Sequence, residues 1–311
     1  MALHGWLIVD KPVGPGSTRI VSAVKRALKA GGYPKVKVGH GGTLDPLASG
    51  VLPVALGEAT KLCGRMLDAD KVYEFTIGFG VETSTLDAEG EVVATSDVRP
   101  TRAQVETVLP RFTGAIEQTP PAYSALMIEG RRAYDRARAG EQMEMTTRQV
   151  IVHELSARHS RFRGNDEGRG DGLDEVTLVA RVSKGTYIRS LARDIARALG
   201  TVGSVTMLRR TRAGAFGLEQ AISLDKLNDL ATARGLEHAL LPLAAGLDDI
   251  PALPVTPDQA RLLRQGRKVI GIAAPSGLHL ATAASVAVAL VEVSGPETWV
   301  VRGFNLPDVE G

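Results

Sequence analysis

The apolar positions of this chain change period several times, and each change marks an element. Leu7-Ile8-Val9 is a short apolar run that ends in Asp10-Lys11-Pro12-Val13-Gly14, the pattern of a strand closing into a turn. From Ser17 to about Ala30 the spacing becomes helical. Ile20, Val21, Val24, Ala27 and Leu28 share one face, while Arg19, Lys25, Arg26 and Lys29 lie mostly on the other. Ser17 is expected to cap this helix, and Gly31-Gly32 to end it. Val51 to Leu56 reads as a strand and Glu58 to Leu67 as a helix. Lys71 to Phe79 is another strand, with Val72, Phe75 and Ile77 apolar. Glu91 to Thr95, Gln149 to Leu155 and Val176 to Val182 supply further strands. Tyr187 to Leu199 places Ile188, Leu191, Ala192, Ile195 and Leu199 at helical spacing, with Gly200 just beyond.

Strands dominate the middle of the chain, and the helices follow no regular βαβ period. This predicts an α+β fold built on a mixed, largely antiparallel sheet flanked by helices. Arg161 to Asp174 reads as a polar, glycine-rich loop. Leu241 to Pro257 holds four prolines, after which a β-like alternation returns and ends in the WVVRGFNL stretch. A boundary near Ile250 follows, with a main body over 1–249 and a small β domain over 250–311.

Composition narrows the class of protein. With 311 residues, 44% of them hydrophobic and 23% charged, the chain has enough apolar material for a sizeable core, which argues against wholesale disorder. Cys63 is its only cysteine, so neither an internal disulfide nor a cysteine-based zinc cluster is available, and a reducing compartment is expected. The amino terminus lacks the basic region of a signal peptide, and the most apolar later run, Leu280 to Val291, is too short to span a bilayer. A cytoplasmic protein is expected. The formal net charge of +2 hides a strong asymmetry. Residues 1–40 carry seven lysines and arginines against Asp10 alone, and residues 181–214 carry eight against Asp194. Two such segments fit surfaces that meet a polyanion, although solvated helix faces would show the same composition.

No Walker loop, G-x-G-x-x-G, H-E-x-x-H or G-x-S-x-G is present, and the histidines are scattered singly. Nucleotide hydrolysis, dinucleotide chemistry, zinc proteolysis and α/β-hydrolase chemistry therefore lose their usual markers, and no metal is expected. The loop GHGGTLDPLASG, residues 39–50, holds one acid, Asp45, fixed by Pro46 and preceded by Gly41-Gly42. By itself this fits an ordinary Asp-Pro turn as well as an active site. Tyr73 in DKVYEF, and Tyr187 and Arg189 in SKGTYIRSLARD, bring aromatic rings beside basic residues in a chain poor in aromatics. Half-buried core tyrosines would look the same.

Read together, the blocks are recognisable. VGHGGTLDPLASGVLPVALGEATKL, SKGTYIRSLARDIARALG and the later MLRRTRAG resemble the signature blocks of the bacterial TruB-type tRNA pseudouridine synthases. GWLIVDKPVG, DKVYEF and PPAYSALMIEGRRAYDRARAGE fall in that family's order. The similarity covers about residues 5–220, and the tail resembles, more weakly, a small PUA-like RNA-binding domain. The resemblance implies isomerisation of uridine to pseudouridine at position 55 of the tRNA T loop, by base flipping and an aspartate nucleophile, without cofactor or metal. It also implies that the enzyme works on tRNA with no guide RNA and no obligate protein partner. Asp45 matches the catalytic aspartate and Arg189 the arginine paired with it. His40 matches the histidine that enters the T loop, Tyr73 the tyrosine that stacks on the flipped base, and Tyr187 and Leu208 the walls of the uracil pocket. Residues of about 124–146 resemble an RNA-gripping insertion, and Lys11, Lys61, Arg131, Arg132 and Lys184 are the implied RNA contacts. Two departures stand out: Gly41 and Ser84 replace the family's usual threonine and aspartate. The basic segments alone would equally serve an RNA-folding factor.

Overall fold

The first apolar run becomes the strand Gly5–Lys11, and its alternation joins two cores. Leu7 and Val9 face the Ser17–Ala30 helix, which buries Ile20, Val24, Ala27 and Leu28. Trp6 and Ile8 face the opposite way, into a cluster with Phe216, Leu280, Leu290 and Phe304. The computed structural model describes residues 3–124, 126–128, 130–141, 143–164 and 172–306, with the side chains of Arg132 and of residues 159–164 excepted.

The main sheet has ten strands. Its path runs Leu240–Leu241, Gly5–Lys11, Ala48–Leu56, Gly203–Ala213, Lys71–Phe79, Leu173–Val182, Arg148–Gly164 and Gly114–Gln118, with Val38–His40 and Phe216–Gly217 paired off it. Among its described strands every pairing is antiparallel except one. Ala48–Leu56 runs parallel to Gly203–Ala213 at the centre, with Ala48 opposite Leu208 and Gly50 opposite Arg210. The expected mixed, largely antiparallel α+β architecture is therefore what the chain adopts.

Helices cover this sheet where their apolar stripes require it. The Ile188–Ala198 helix buries Ile188, Leu191, Ala192 and Ile195 against Phe75, Ile77, Val176 and Leu178, each fully buried apolar side chain contributing roughly 1.5–3 kcal/mol. A second sheet of five strands spans Ala252 to Gly303, in the order Ala252–Pro254, Gly277–Ala283, Val286–Ser294, Glu297–Gly303, Val269–Ile270. The Pro257–Arg264 helix packs on it, capped by Thr256 and Gln259.

Three local expectations change. Ser17 is the first helical residue rather than the cap, which is Gly16, because the Ser17 hydroxyl is already engaged by the backbone of Leu44. Residues 58–67 split into a 3-10 turn, Gly57–Leu62, followed by the helix Cys63–Asp68. The ends of the stretch 161–174 continue a long hairpin, with Phe162 opposite Val176 and Gly164 opposite Leu173, and residues 165–171 lie outside the described residues.

Candidate active site

The loop of residues 41–47, between the strands Val38–His40 and Ala48–Leu56, has no regular structure of its own, so its backbone groups must find partners elsewhere. The parallel strand pair supplies many of them. Arg210, 1% exposed at the centre of Gly203–Ala213, donates from Nε to the Val51 carbonyl at 2.8 Å and from Nη2 to the Gly42 carbonyl at 3.2 Å. Its Nη1 reaches the Thr43 carbonyl at 3.4 Å. Ser17 Oγ accepts from Leu44 N at 2.8 Å and donates to Leu44 O at 3.1 Å. Lys11 Nζ donates to the carbonyls of Pro12 at 2.8 Å and Pro46 at 3.2 Å. Asp45 thus stands on a rigid loop. At Gly50 a Cβ would lie 2.1 Å from the Arg210 carbonyl, and φ is +104°, so the close approach of the two strands requires glycine.

Asp45 is half exposed, and its Oδ2 lies 2.9 Å from Nη2 of the buried Arg189. That guanidinium is held on all sides. Nη1 donates to Thr85 O at 2.8 Å and lies 3.2 Å from Asp87 Oδ2, while Nη2 donates to Tyr123 O at 2.9 Å. Asp87 is as buried as Arg189 and is itself fixed by Thr85 Oγ1 at 2.5 Å and by the Glu89 N–H at 3.1 Å. The residue before it, Leu86, is buried with φ at +62°, a left-handed conformation costly for a branched side chain. Its N–H donates to Thr83 O, and its carbonyl accepts from Val205 N, both at 3.0 Å.

Asp45, Tyr73, Tyr187, Arg189 and Leu208 line one cavity of about 290 Å³. Tyr187 caps the Ile188–Ala198 helix, and Gln118 grips its backbone from both sides, accepting from Tyr187 N at 2.7 Å and donating to Tyr187 O at 3.1 Å. The Arg148 guanidinium lies over the Tyr187 ring, 4.8 Å from its centroid, and donates to the Gly185 carbonyl of the neighbouring turn. A larger hollow of about 690 Å³, lined by Tyr33, Pro34, Arg234 and Glu237 among others, shares no residue with the Asp45 cavity. Its one carboxylate accepts from the Tyr33 hydroxyl at 2.9 Å.

His40 lies at the start of the loop, half-buried, with Nδ1 accepting from Gly42 N at 3.4 Å. Burial, and secondarily the Arg210 charge, pull its pKa below the ordinary histidine value. The ring is accordingly neutral at pH 7 and carries its proton on Nε2.

Of the residues expected to contact RNA, Lys11 is corrected: it is fully buried, and its ammonium is spent on two loop carbonyls. Lys61 ties the two sheets together, donating to the Gly303 carbonyl at 2.9 Å and pairing with Glu58 at 2.7 Å. Lys184 is exposed and pairs with Asp68 at 3.0 Å beside the cavity. Arg131 pairs with Glu141 at 2.8 Å, and the side chain of Arg132 lies outside the described residues. Asp87, Arg210 and Lys71 were not singled out by their sequence context. Lys71 lines the cavity and donates to the carbonyls of Met66, Leu67 and Ala69.

Burial pushes the Lys11 ammonium down to about 8, with Asp45 opposing the shift and Arg210 adding to it. Between about pH 8 and the ordinary lysine value the unfolded chain binds more protons at this site than the folded one. Stability from Lys11 therefore rises with pH in that window. A Lys11→Met variant is expected to lose this rise: in urea titrations, the stability advantage of wild type over variant grows from pH 8 to pH 10.

Gly41 is buried, and the space beside it is occupied. A Cβ there would lie 2.5 Å from Met66 Cγ and 2.7 Å from Met66 Cβ. Gly41→Thr is expected to destabilise the protein by about 1–3 kcal/mol through overpacking. In a Met66→Ala background, which removes the contact at Cγ but keeps that at Cβ, the same Gly41→Thr change should cost less in thermal melts than it does in wild type. Ser84 is exposed in the turn after Val81–Thr83 and forms no part of the Arg189 network.

Comparison with known proteins places the chain in a family. The profile of the TruB family pseudouridylate synthase N-terminal domain matches residues 25–188, and that of the tRNA pseudouridylate synthase B C-terminal domain matches residues 189–248. A tRNA pseudouridine synthase B of Novosphingobium aromaticivorans is 62% identical over 307 residues, covering 99% of each chain. The protein of that name from Zymomonas mobilis is 60% identical over 304 residues, covering 98% of this chain and 97% of its own. Among solved structures, a Cbf5-Nop10-Gar1 complex contains a chain 27% identical with a TM-score of 0.69, covering 98% of this chain and 84% of that one. The fold is that of a pseudouridine synthase. The chain belongs to the TruB family of pseudouridylate synthases.

Proposed function

We propose that this protein converts uridine to pseudouridine at position 55, in the T loop of tRNA, with Asp45 as the nucleophile. The observation that carries the reading is the Asp45 carboxylate held 2.9 Å from Arg189 at a cavity walled by Tyr73, Tyr187 and Leu208. The name shared by the two bacterial relatives, tRNA pseudouridine synthase B, supports the choice of substrate.

A base within a folded loop must leave its stack before its glycosidic bond can be cut, at a cost of a few kcal/mol. Stacking on the Tyr73 ring offsets about 1–3 kcal/mol of that. Asp45 then attacks the nucleotide, with the Arg189 guanidinium beside it as the fixed positive charge in a confined site. The bond from N1 to C1′ breaks, the retained uracil turns, the bond from C5 to C1′ forms, and the bond made by Asp45 is broken to free the carboxylate. C5 loses its hydrogen to solvent and N1 gains one. Leu208 and Tyr187 hold the turning base away from water. His40, neutral and at the loop's edge, suits packing within the T loop better than ion pairing.

In this reading residues 1–249 form the catalytic unit and 250–311 an RNA-binding unit. The protein works in the cytoplasm without guide RNA, partner or cofactor. No described helix is long and apolar enough to cross a membrane. The test is tritium release from a T-arm hairpin carrying [5-³H]uridine, with the purified protein alone. Release in proportion to pseudouridine formed is expected, and its absence would overturn the proposal.

A further inference from the structure

The chain between Lys11 and His40 leaves the Asp45 loop and returns to it. It departs beside Ser17, whose hydroxyl is bonded to Leu44, and comes back through the strand Val38–His40. Along this excursion Arg19, Lys25, Arg26, Lys29, Lys35 and Lys37 are all exposed. None is ion-paired with a carboxylate among the described residues. The Leu224–Thr232 helix packed beside the Ser17–Ala30 helix carries Asp225 and Asp229, and it supplies no partner either.

The placement of these charges works against the helix that bears them. Ser17–Ala30 contains no acid at all. Arg19 sits in its first turn, where the aligned peptide dipoles repel a cation, and Lys25 and Lys29 are like charges four residues apart. At 100° per residue Arg19, Lys25, Arg26 and Lys29 fall on one stripe, opposite buried Ile20 and Val24. From Arg19 to Lys29 the stripe runs about 15 Å. A face selected for solubility alone would mix signs. This one is arranged for a polyanion.

The other flank of Asp45 is built differently. There Arg189 is bonded to the Tyr123 carbonyl, where the insertion begins, and the insertion's Arg131 and Arg136 are both paired with Glu141. None of Arg19, Lys25, Arg26 and Lys29 lines the Asp45 cavity, so with the T loop seated there the stripe is left for RNA beyond it.

We propose that the Arg19, Lys25, Arg26 and Lys29 stripe binds the phosphate backbone of the tRNA body outside the T arm, so that a folded tRNA is held at two places at once. The inference rests on the T-loop reading above, and the experiment separates the two. A variant with Arg19, Lys25, Arg26 and Lys29 all changed to glutamine is compared with wild type on a T-arm hairpin and on a full-length tRNA transcript. Its melting temperature should stay close to that of wild type, because the repulsion relieved at Arg19 and between Lys25 and Lys29 offsets the favourable place of Lys29 in the last turn. On the transcript, binding should weaken about tenfold or more, and the slope of log affinity against log salt should fall by about 3. On the hairpin, kcat/KM and the salt slope should stay unchanged. Equal losses on both substrates, no loss on either, or a melting temperature well below that of wild type would each overturn the stripe proposal. A wild type that fails to turn over the hairpin would overturn the T-loop reading instead.

Discussion

Asp45→Asn is expected to abolish turnover of a T-arm hairpin while changing RNA affinity by less than about tenfold, since the substitution keeps the shape of the loop and removes only the charge that attacks. The structure gives a reason to expect the shape to survive. The loop is held through its backbone by Arg210, Ser17 and Lys11 rather than through the Asp45 carboxylate, which is half exposed and makes one contact with Arg189. Stability should therefore change little. Turnover by the asparagine variant at the wild-type rate would remove Asp45 from the role of nucleophile, whatever its position in the cavity.

Asp87→Ala should have a different signature, loss of stability together with loss of rate. Asp87 and Arg189 are both under 10% exposed, and removing Asp87 leaves the buried guanidinium with only the half-exposed Asp45 as a carboxylate partner, a cost of up to about 3–5 kcal/mol. Arg189 would then be positioned only by the Thr85 and Tyr123 carbonyls and by Asp45 itself. A guanidinium displaced by about 1 Å can cost about a hundredfold in rate. Asp87 touches no reacting atom in this account and acts through Arg189. Asp87→Asn, which keeps the size and some of the hydrogen bonding, should restore most of the melting temperature but only part of kcat, with KM near the wild-type value. Full recovery of kcat by asparagine would mean that the charge of Asp87 is dispensable and that its role is packing alone.

The difference between these two carboxylates also explains how much of the site was legible beforehand. Asp45 sits in a glycine-rich loop before a proline, which alone fits an ordinary turn, and Tyr73 and Tyr187 alone fit core tyrosines, so what made them legible with Arg189 was the set of blocks and their order. The periodicity of the helix ending near Ala30 was plain because it buries one face and exposes the other, whereas the strand Lys71–Phe79, covered on both faces, alternates imperfectly. Asp87 lies instead in a turn of small polar residues, and only the left-handed Leu86 and the contact of Thr85 with a residue 104 positions away give it meaning. Nothing local marks either. Lys11, Lys71 and Arg210 were hidden for another reason. A basic residue reads as a surface group unless carbonyls are seen to surround it, and those carbonyls belong to the irregular Asp45 loop and to the end of a short helix. The positive charge near the active site therefore divides in two. Part of it is structural and buried, spent on shaping the loop, and part is exposed along the Ser17–Ala30 helix. Sequence counts alone merge the two. Gly41 is a third case: its meaning depends on Met66, which fills the space a side chain would need.

The central claim is that Asp45 meets a uridine flipped out of the T loop. Its most direct test is a crystal structure of the protein with a T-arm hairpin carrying 5-fluorouridine at position 55. The account predicts the base out of its stack against the Tyr73 ring, between Leu208 and Tyr187, with the Asp45 carboxylate in contact with the sugar or the base and Arg189 still paired to Asp87. A base that remains stacked in its loop, or one lodged in a cavity that Asp45 does not line, would contradict it.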